Sequence, residues 1–150
     1  MKALFMATAV LLVSLSHVCA RLMEVWTYQK LLEKSDLVVI ANPTAVIDTK
    51  EEIDLPGYSA MRATGVETHF QISAVFKGEK NLKDFTMHHY RASKPDIGYP
   101  NGPNLVSFDP TQKHSYIIFL IREADGRYAP TCGQTDPAFY AAHAIEGGLK

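Results

Sequence analysis

The chemistry this 150-residue chain can offer rests on three sets of side chains: the histidines His69, His88, His89, His114 and His143, the thiol of Cys132, and the carboxylates Asp48, Glu51, Glu52 and Asp54. An imidazole serves as a general base near neutral pH or as a metal ligand. His88 and His89 are adjacent, so on a strand they point to opposite faces and do not ligate one metal together. His69 and His88 share an outer face if their strands pair in the right register. There is no HExxH motif and no Cys/His pairing with zinc spacing. The histidines therefore read as solvated or hydrogen-bonded imidazoles, and no metal is expected. Cys132 could meet His143 or His114 in space as a nucleophilic dyad. The plainer reading makes it a small half-buried residue, since free cysteines are commonly buried and inert. A GxSxG elbow and a phosphate-cradling glycine loop are both absent. No catalytic residue and no cofactor is assigned. The four carboxylates read as a solvated loop face, or at most a loose cation site.

The elements that must position these groups begin after residue 20. Lys2 supplies a positive start, residues 3–15 are almost wholly apolar, and Val18-Cys19-Ala20 places small residues at the −3 and −1 positions before Arg21. That pattern is a cleavable secretory signal. The apolar run is shorter than the about 20 residues a spanning helix needs. A retained anchor, or a lipoprotein signal modified on Cys19, is the alternative. Cleavage would remove Lys2, His17 and Cys19. It leaves 130 residues with 14 basic against 16 acidic side chains, a net charge of −2. One domain, residues 21–150, is expected from that length. The charge speaks against nucleic acid, which selects basic faces, and no stable membrane span is expected once the signal is gone. With Cys132 as the single remaining cysteine there is no internal disulfide, so the core holds the fold unaided.

Residues 24–34 predict a short helix, with Thr27 as N-cap and Tyr28, Leu31 and Leu32 as one apolar stripe. Residues 37–41 are a β-branched apolar run, interrupted or bulged at Asn42-Pro43 and resuming over 44–49. Residues 50–58, with Pro56-Gly57, predict a loop or wide turn. Residues 64–76 and 85–91 alternate apolar and polar, the signature of strands with one wet face. Residues 114–122 and 127–131 predict two more strands around the turn Ala124-Asp125-Gly126. Over 136–145 the pattern is ambiguous, with Asp136 and Pro137 placed to open a helix.

These elements predict an all-β fold with one short N-terminal helix. Five short twisted strands bury their edges best by curling into a five-stranded OB-like barrel, with a β-sandwich as the alternative. The segment 92–113 is longer than ordinary connections. It is either a binding loop, with Tyr90, Tyr99 and Phe108 as aromatic anchors, or a cover in which Val106 and Phe108 seal one end of the barrel.

Glu33-Lys34-Ser35-Asp36-Leu37-Val38-Val39-Ile40-Ala41, Phe76-Lys77-Gly78, the run 115–121, Asp125-Gly126-Arg127-Tyr128 and Gly133-Gln134-Thr135-Asp136-Pro137 together resemble a set of small exported bacterial proteins. More distantly, the pattern is similar to the OB-like domain of tissue inhibitors of metalloproteinases and netrin-like modules. That resemblance implies the barrel. It does not carry the inhibitory mechanism, in which an N-terminal cysteine chelates the protease zinc. Here Arg21 would begin the processed chain, and no Cys-x-Cys follows it. The expectation is an exported, periplasmic or secreted, non-catalytic binding module for a protein or glycan partner. The alternatives are a thiol- or metal-dependent hydrolase using Cys132 or the histidines, and a protease-inhibitor-like module.

Overall fold

The computed structural model describes residues 24–58, 61–94 and 102–145. The signal-like residues 1–20 and Tyr99 lie outside the described residues. Among those described, no helix is long and apolar enough to cross a membrane.

Helix α1 spans Tyr28–Lys34. Thr27 caps it as the sequence predicts, its hydroxyl accepting from the Lys30 amide at 3.2 Å. The apolar stripe is narrower than expected. Leu31 is buried, while Tyr28 and Leu32 are largely exposed. The helix covers the outer face of two strands, with Leu31 against Val38 and Phe119.

Strand β1 runs Leu37–Asp54, β2 Arg62–Lys77, β3 Asp84–Ala92, β4 Ser115–Arg122 and β5 Tyr128–Pro130. β1 is a single long strand. Its register against β2 shifts around Pro43, where the bulge was expected. It then continues through residues 50–54, which the sequence predicts as loop. Cross-strand pairing of Glu52, Ile53 and Asp54 with Thr64, Ala63 and Arg62 holds that acidic stretch extended. Arg62 offsets its charge, with nitrogens 3.5 Å from Glu52 and 3.8 Å from Asp54.

The sheet order is β1-β2-β3-β5-β4, and β4 pairs back onto β1, closing a ring through five strands. All ring pairings are antiparallel except β3 with β5, which meet in parallel at Met87 and Tyr128. A short helix α2, Pro137–Tyr140, opens at Pro137 after Asp136. It leads into β6, Ala142–Ile145, a sixth strand added along β4 beyond β5. The sequence does not predict this strand, because Ala-His-Ala-Ile carries too little alternation to stand out.

The ring interior is filled by Leu37, Val39, Ala41, Phe70, Phe85, Met87, Ile118 and Leu120, with Val106 and Phe108 from the segment 102–109. Phe70 and Phe85 stack at 5.0 Å, and Phe108 stands edge-on to Phe70 at 4.9 Å. A second cluster, Leu55, Met61, Ala63 and Tyr90, packs where β1 and β2 extend past the ring.

Candidate functional site

Alternation along β3 sends Phe85, Met87 and His89 into the ring and Thr86, His88 and Tyr90 to its outer face. On β2, Glu67 stands opposite His88, and Gly65 stands opposite Tyr90. The outer face would be open if β1 stayed flat. Between Asp48 and Glu52, however, three β1 residues face the single residue Gly65, a bulge. The Thr49 hydroxyl donates to the Gly65 carbonyl at 3.1 Å and accepts from the Glu51 amide at 3.1 Å. A Cβ on Gly65 would lie 2.6 Å from Thr49 Oγ1 and 3.0 Å from Glu51 Cβ. Glycine therefore lets the bulge close down and lay Glu51 over the β2–β3 face.

Glu51 there accepts from the Tyr90 hydroxyl at 2.5 Å, and its other oxygen lies 3.2 Å from His88 Nε2. Burial, together with the Glu51 carboxylate, holds the Tyr90 phenol above its ordinary value. From the opposite side the β4–β5 turn delivers Glu123, Asp125 and Arg127. Glu123 Oε2 is 3.0 Å from His88 Nδ1. Arg127 donates to Asp125 at 2.7 Å and to Glu67 at 3.0 Å, and approaches Glu123 at 3.8 Å. The Gln134 amide donates to the His88 carbonyl at 2.9 Å. His88 is thus 5 % exposed, with a carboxylate at each ring nitrogen. Its Nε2, though within ion-pair distance of Glu51, has no hydrogen bond, and neither does the buried Oε1 of Gln134. Beside this network an open cleft of about 350 Å³ lies between the β2–β3 and β4–β5 turns. Glu79, Asp84, Arg122, Asp125 and Arg127 are among its walls.

His89 faces the other way. It is 2 % exposed, its Nε2 pairs with Thr68 Oγ1 at 2.8 Å, and its ring stands edge-on to Phe108. Burial pushes its imidazole down to about 4, with His88 adding a smaller effect in the same direction. The two histidines therefore divide between faces as alternation requires. His69 shares the outer face with His88, two positions along β2 from Glu67, and meets Thr86 at 3.0 Å.

Of the residues singled out as aromatic anchors, Tyr90 is buried with its hydroxyl engaged by Glu51, and Phe108 is buried in the ring interior against Phe70, His89 and Tyr116. Cys132 packs beside Leu31, Val38 and Phe119, and burial pushes its thiol up to about 11. His143 accepts or donates at the Tyr140 carbonyl, 2.8 Å away, while His114 is exposed at the start of β4. None of the hydrogen bonds among the described residues joins Cys132 to either histidine. No group of three or more His, Cys, Asp or Glu side chains among the described residues is arranged to hold a metal ion.

Sequence reasoning missed the Glu51–His88–Glu123–Arg127 network. The signal available was partial: His88 and Glu67 both fall on the wet face of an alternating strand. The sequence places Glu51 in a solvated loop, whereas the bulge holds it against the sheet. No family model matches the chain, and no curated protein sequence matches it.

Proposed function

We propose that this protein is an exported, non-catalytic binding module built on an OB-like barrel, with a protein or glycan as its partner. The ring supports the barrel reading through its order, β1-β2-β3-β5-β4 and back to β1, with β3 and β5 parallel. Barrels of that type bind on the outer face of strands 2 and 3, between the 1–2 and 4–5 connections. The observation that carries the proposal is that four half-buried charged side chains gather around buried His88 on the corresponding face. Glu51 comes from the end of β1, Glu67 and His88 from β2 and β3, and Glu123 and Arg127 from the β4–β5 turn. Binding fits better than turnover because burial holds the Cys132 thiol protonated and no hydrogen bond among the described residues joins it to an imidazole. Export rests on the basic, apolar and small-residue pattern of residues 1–20. The likeness to small exported bacterial proteins, and to the netrin-like barrel behind it, belongs to the same proposal. The chelating inhibitor mechanism does not, since no Cys-x-Cys follows Arg21.

The test is retention of partners from an extracytoplasmic extract on the immobilised protein, compared with R127Q and with a variant lacking residues 94–104. Loss of a retained partner in R127Q, with the fold intact by circular dichroism, is the expected result. Retention unchanged in both variants, or hydrolysis of ester or peptide substrates by the wild-type protein, would overturn the reading.

A further inference from the structure

His89 is a titratable side chain sealed inside the ring. Its Nε2 meets Thr68 Oγ1 at 2.8 Å, and its buried Nδ1 has no hydrogen bond. A protonated ring carries an N–H at both nitrogens, whichever tautomer it started from. Protonation therefore leaves a charge and a donor buried without an acceptor, which is costly unless water reaches them. Burial is the main force keeping the proton off, and it outweighs the nearby Tyr90 backbone, which favours the charged ring.

The groups around the imidazole do not offset such a charge. Thr68 faces it from β2, Phe108 from the stretch 102–109, and His88 from its own strand, where a second positive charge would repel. β1 lends the interior Leu37, Val39 and Ala41, and β4 lends Ile118 and Leu120. The Tyr116 phenol of β4 packs against Phe108 with the Asp109 carboxylate near it, and Tyr128 of β5 packs against Phe85. The walls differ in strength. On the strand side, His89 sits within the β2–β3 ladder, opposite Val66. On the other side, residues 102–109 belong to no helix or strand. Asn104 anchors them, its amide donating to Asp136 Oδ1 at 2.9 Å and its carbonyl accepting from the Ala138 amide at 3.2 Å. Phe108 then reaches in to 5.4 Å from His89, centroid to centroid. Local opening favours stretches where backbone pairing is sparse.

We infer that residues 102–109 are an acid-released cover: protonation of His89 lifts Phe108 off the imidazole and admits water, while the five-stranded ring stays paired. The inference is independent of the binding-module reading.

The experiment follows amide hydrogen exchange by NMR in the purified protein at pH 7 and pH 5, corrected for the intrinsic pH dependence of exchange. The Asn104 and Ala138 amides lose their bonds when the cover lifts, and the β2–β3 ladder amides report global opening. Asn104 and Ala138 are expected to be less protected than the ladder. Relative to H89Q, which cannot take the proton, they should lose about twentyfold in protection between the two pH values, as follows for a ring titrating near about 4 when covered and 6.5 when free. Titration of Asp136 is common to both proteins and cancels. If H89Q is misfolded by circular dichroism, H89L takes its place. Equal losses in wild type and variant, or Asn104 and Ala138 as protected as the ladder at pH 5, would overturn the inference. So would ¹⁵N spectra of the wild type alone in which the His89 ring takes its proton while both amides stay protected.

Discussion

Along β3 the side chains divide between two surroundings that differ in almost every physical respect. Inward, Phe85, Met87 and His89 meet aromatic rings, and the one polar member pairs Nε2 with the Thr68 hydroxyl, leaves its buried Nδ1 without a hydrogen bond, and is held neutral by burial. Outward, Thr86 meets His69, while His88 and Tyr90 meet carboxylates from β1 and the β4–β5 turn, and the Arg127 guanidinium ties Glu123 and Glu67 beside them. His88 and His89 are about equally buried, at 5 % and 2 % exposure. Burial alone therefore does not set the role of a histidine. What differs is whether the groups around it are apolar or ionised, so the inner face behaves as core and the outer face as a place where charge is kept ready.

The comparison predicts that damage to the inner face costs stability and damage to the outer face costs local order. Phe108→Ala removes a ring packed edge-on to three others and should destabilise the fold by about 3–5 kcal/mol, read by urea denaturation. A loss below 1 kcal/mol would place Phe108 outside the core.

The pH dependence of stability tests His89 directly. Its imidazole titrates near about 4 in the fold, against 6.5 for a free side chain. Between those values the unfolded chain binds a proton that the folded chain refuses. The His89 contribution is therefore intact above about pH 6.5 and lost progressively as pH falls to about 4, by about 3 kcal/mol in all. Comparing wild type with His89→Leu isolates this residue from the carboxylates that titrate in the same range. The wild type should lose stability relative to the variant over that window, and parallel curves would refute the buried neutral state.

Gly65→Ala probes how the outer face is assembled. The new methyl would strike Thr49 and Glu51, so a loss of about 1–3 kcal/mol is expected, with NMR shifts concentrated at residues 49–51, 88 and 90. Shifts confined to residue 65 would show that the bulge does not depend on this close approach. The smallest effect is expected from Tyr90→Phe, which keeps the packed ring and removes one donor to a partly exposed carboxylate. About 1 kcal/mol should be lost, with the Glu51 side-chain carboxyl signal shifting in ¹³C spectra. An unmoved signal would mean that Tyr90 does not restrain Glu51.

The helix cap at Thr27, the alternation of β2 and β3 and the turn at Gly126 were all legible in the chain, because each is a local pattern of neighbouring residues. The errors have local causes too. Residues 50–54 look like loop because they are acidic, and it is pairing across the ladder, with Arg62 beside Glu52 and Asp54 and Tyr90 beside Glu51, that holds them in a strand. Tyr28 and Leu32 look like core, yet the short helix buries just one row, at Leu31. The segment 92–113 reads from sequence as either binding loop or cover, and its Val106 and Phe108 are buried in the ring.

By itself the sequence determined that this is a β-rich chain with one N-terminal helix and that the 88–89 pair must split across a sheet. Ring closure and the outer charged network were decided by tertiary structure alone. Tyr90 reaches Glu51 across 39 residues, His88 reaches Glu123 across 35, and Arg127 reaches Glu67 across 60. Alternation encodes which way a side chain points, but not which distant side chain it will meet. That choice follows from strand register and from a bulge closing over one glycine, and both exist only once the sheet has formed.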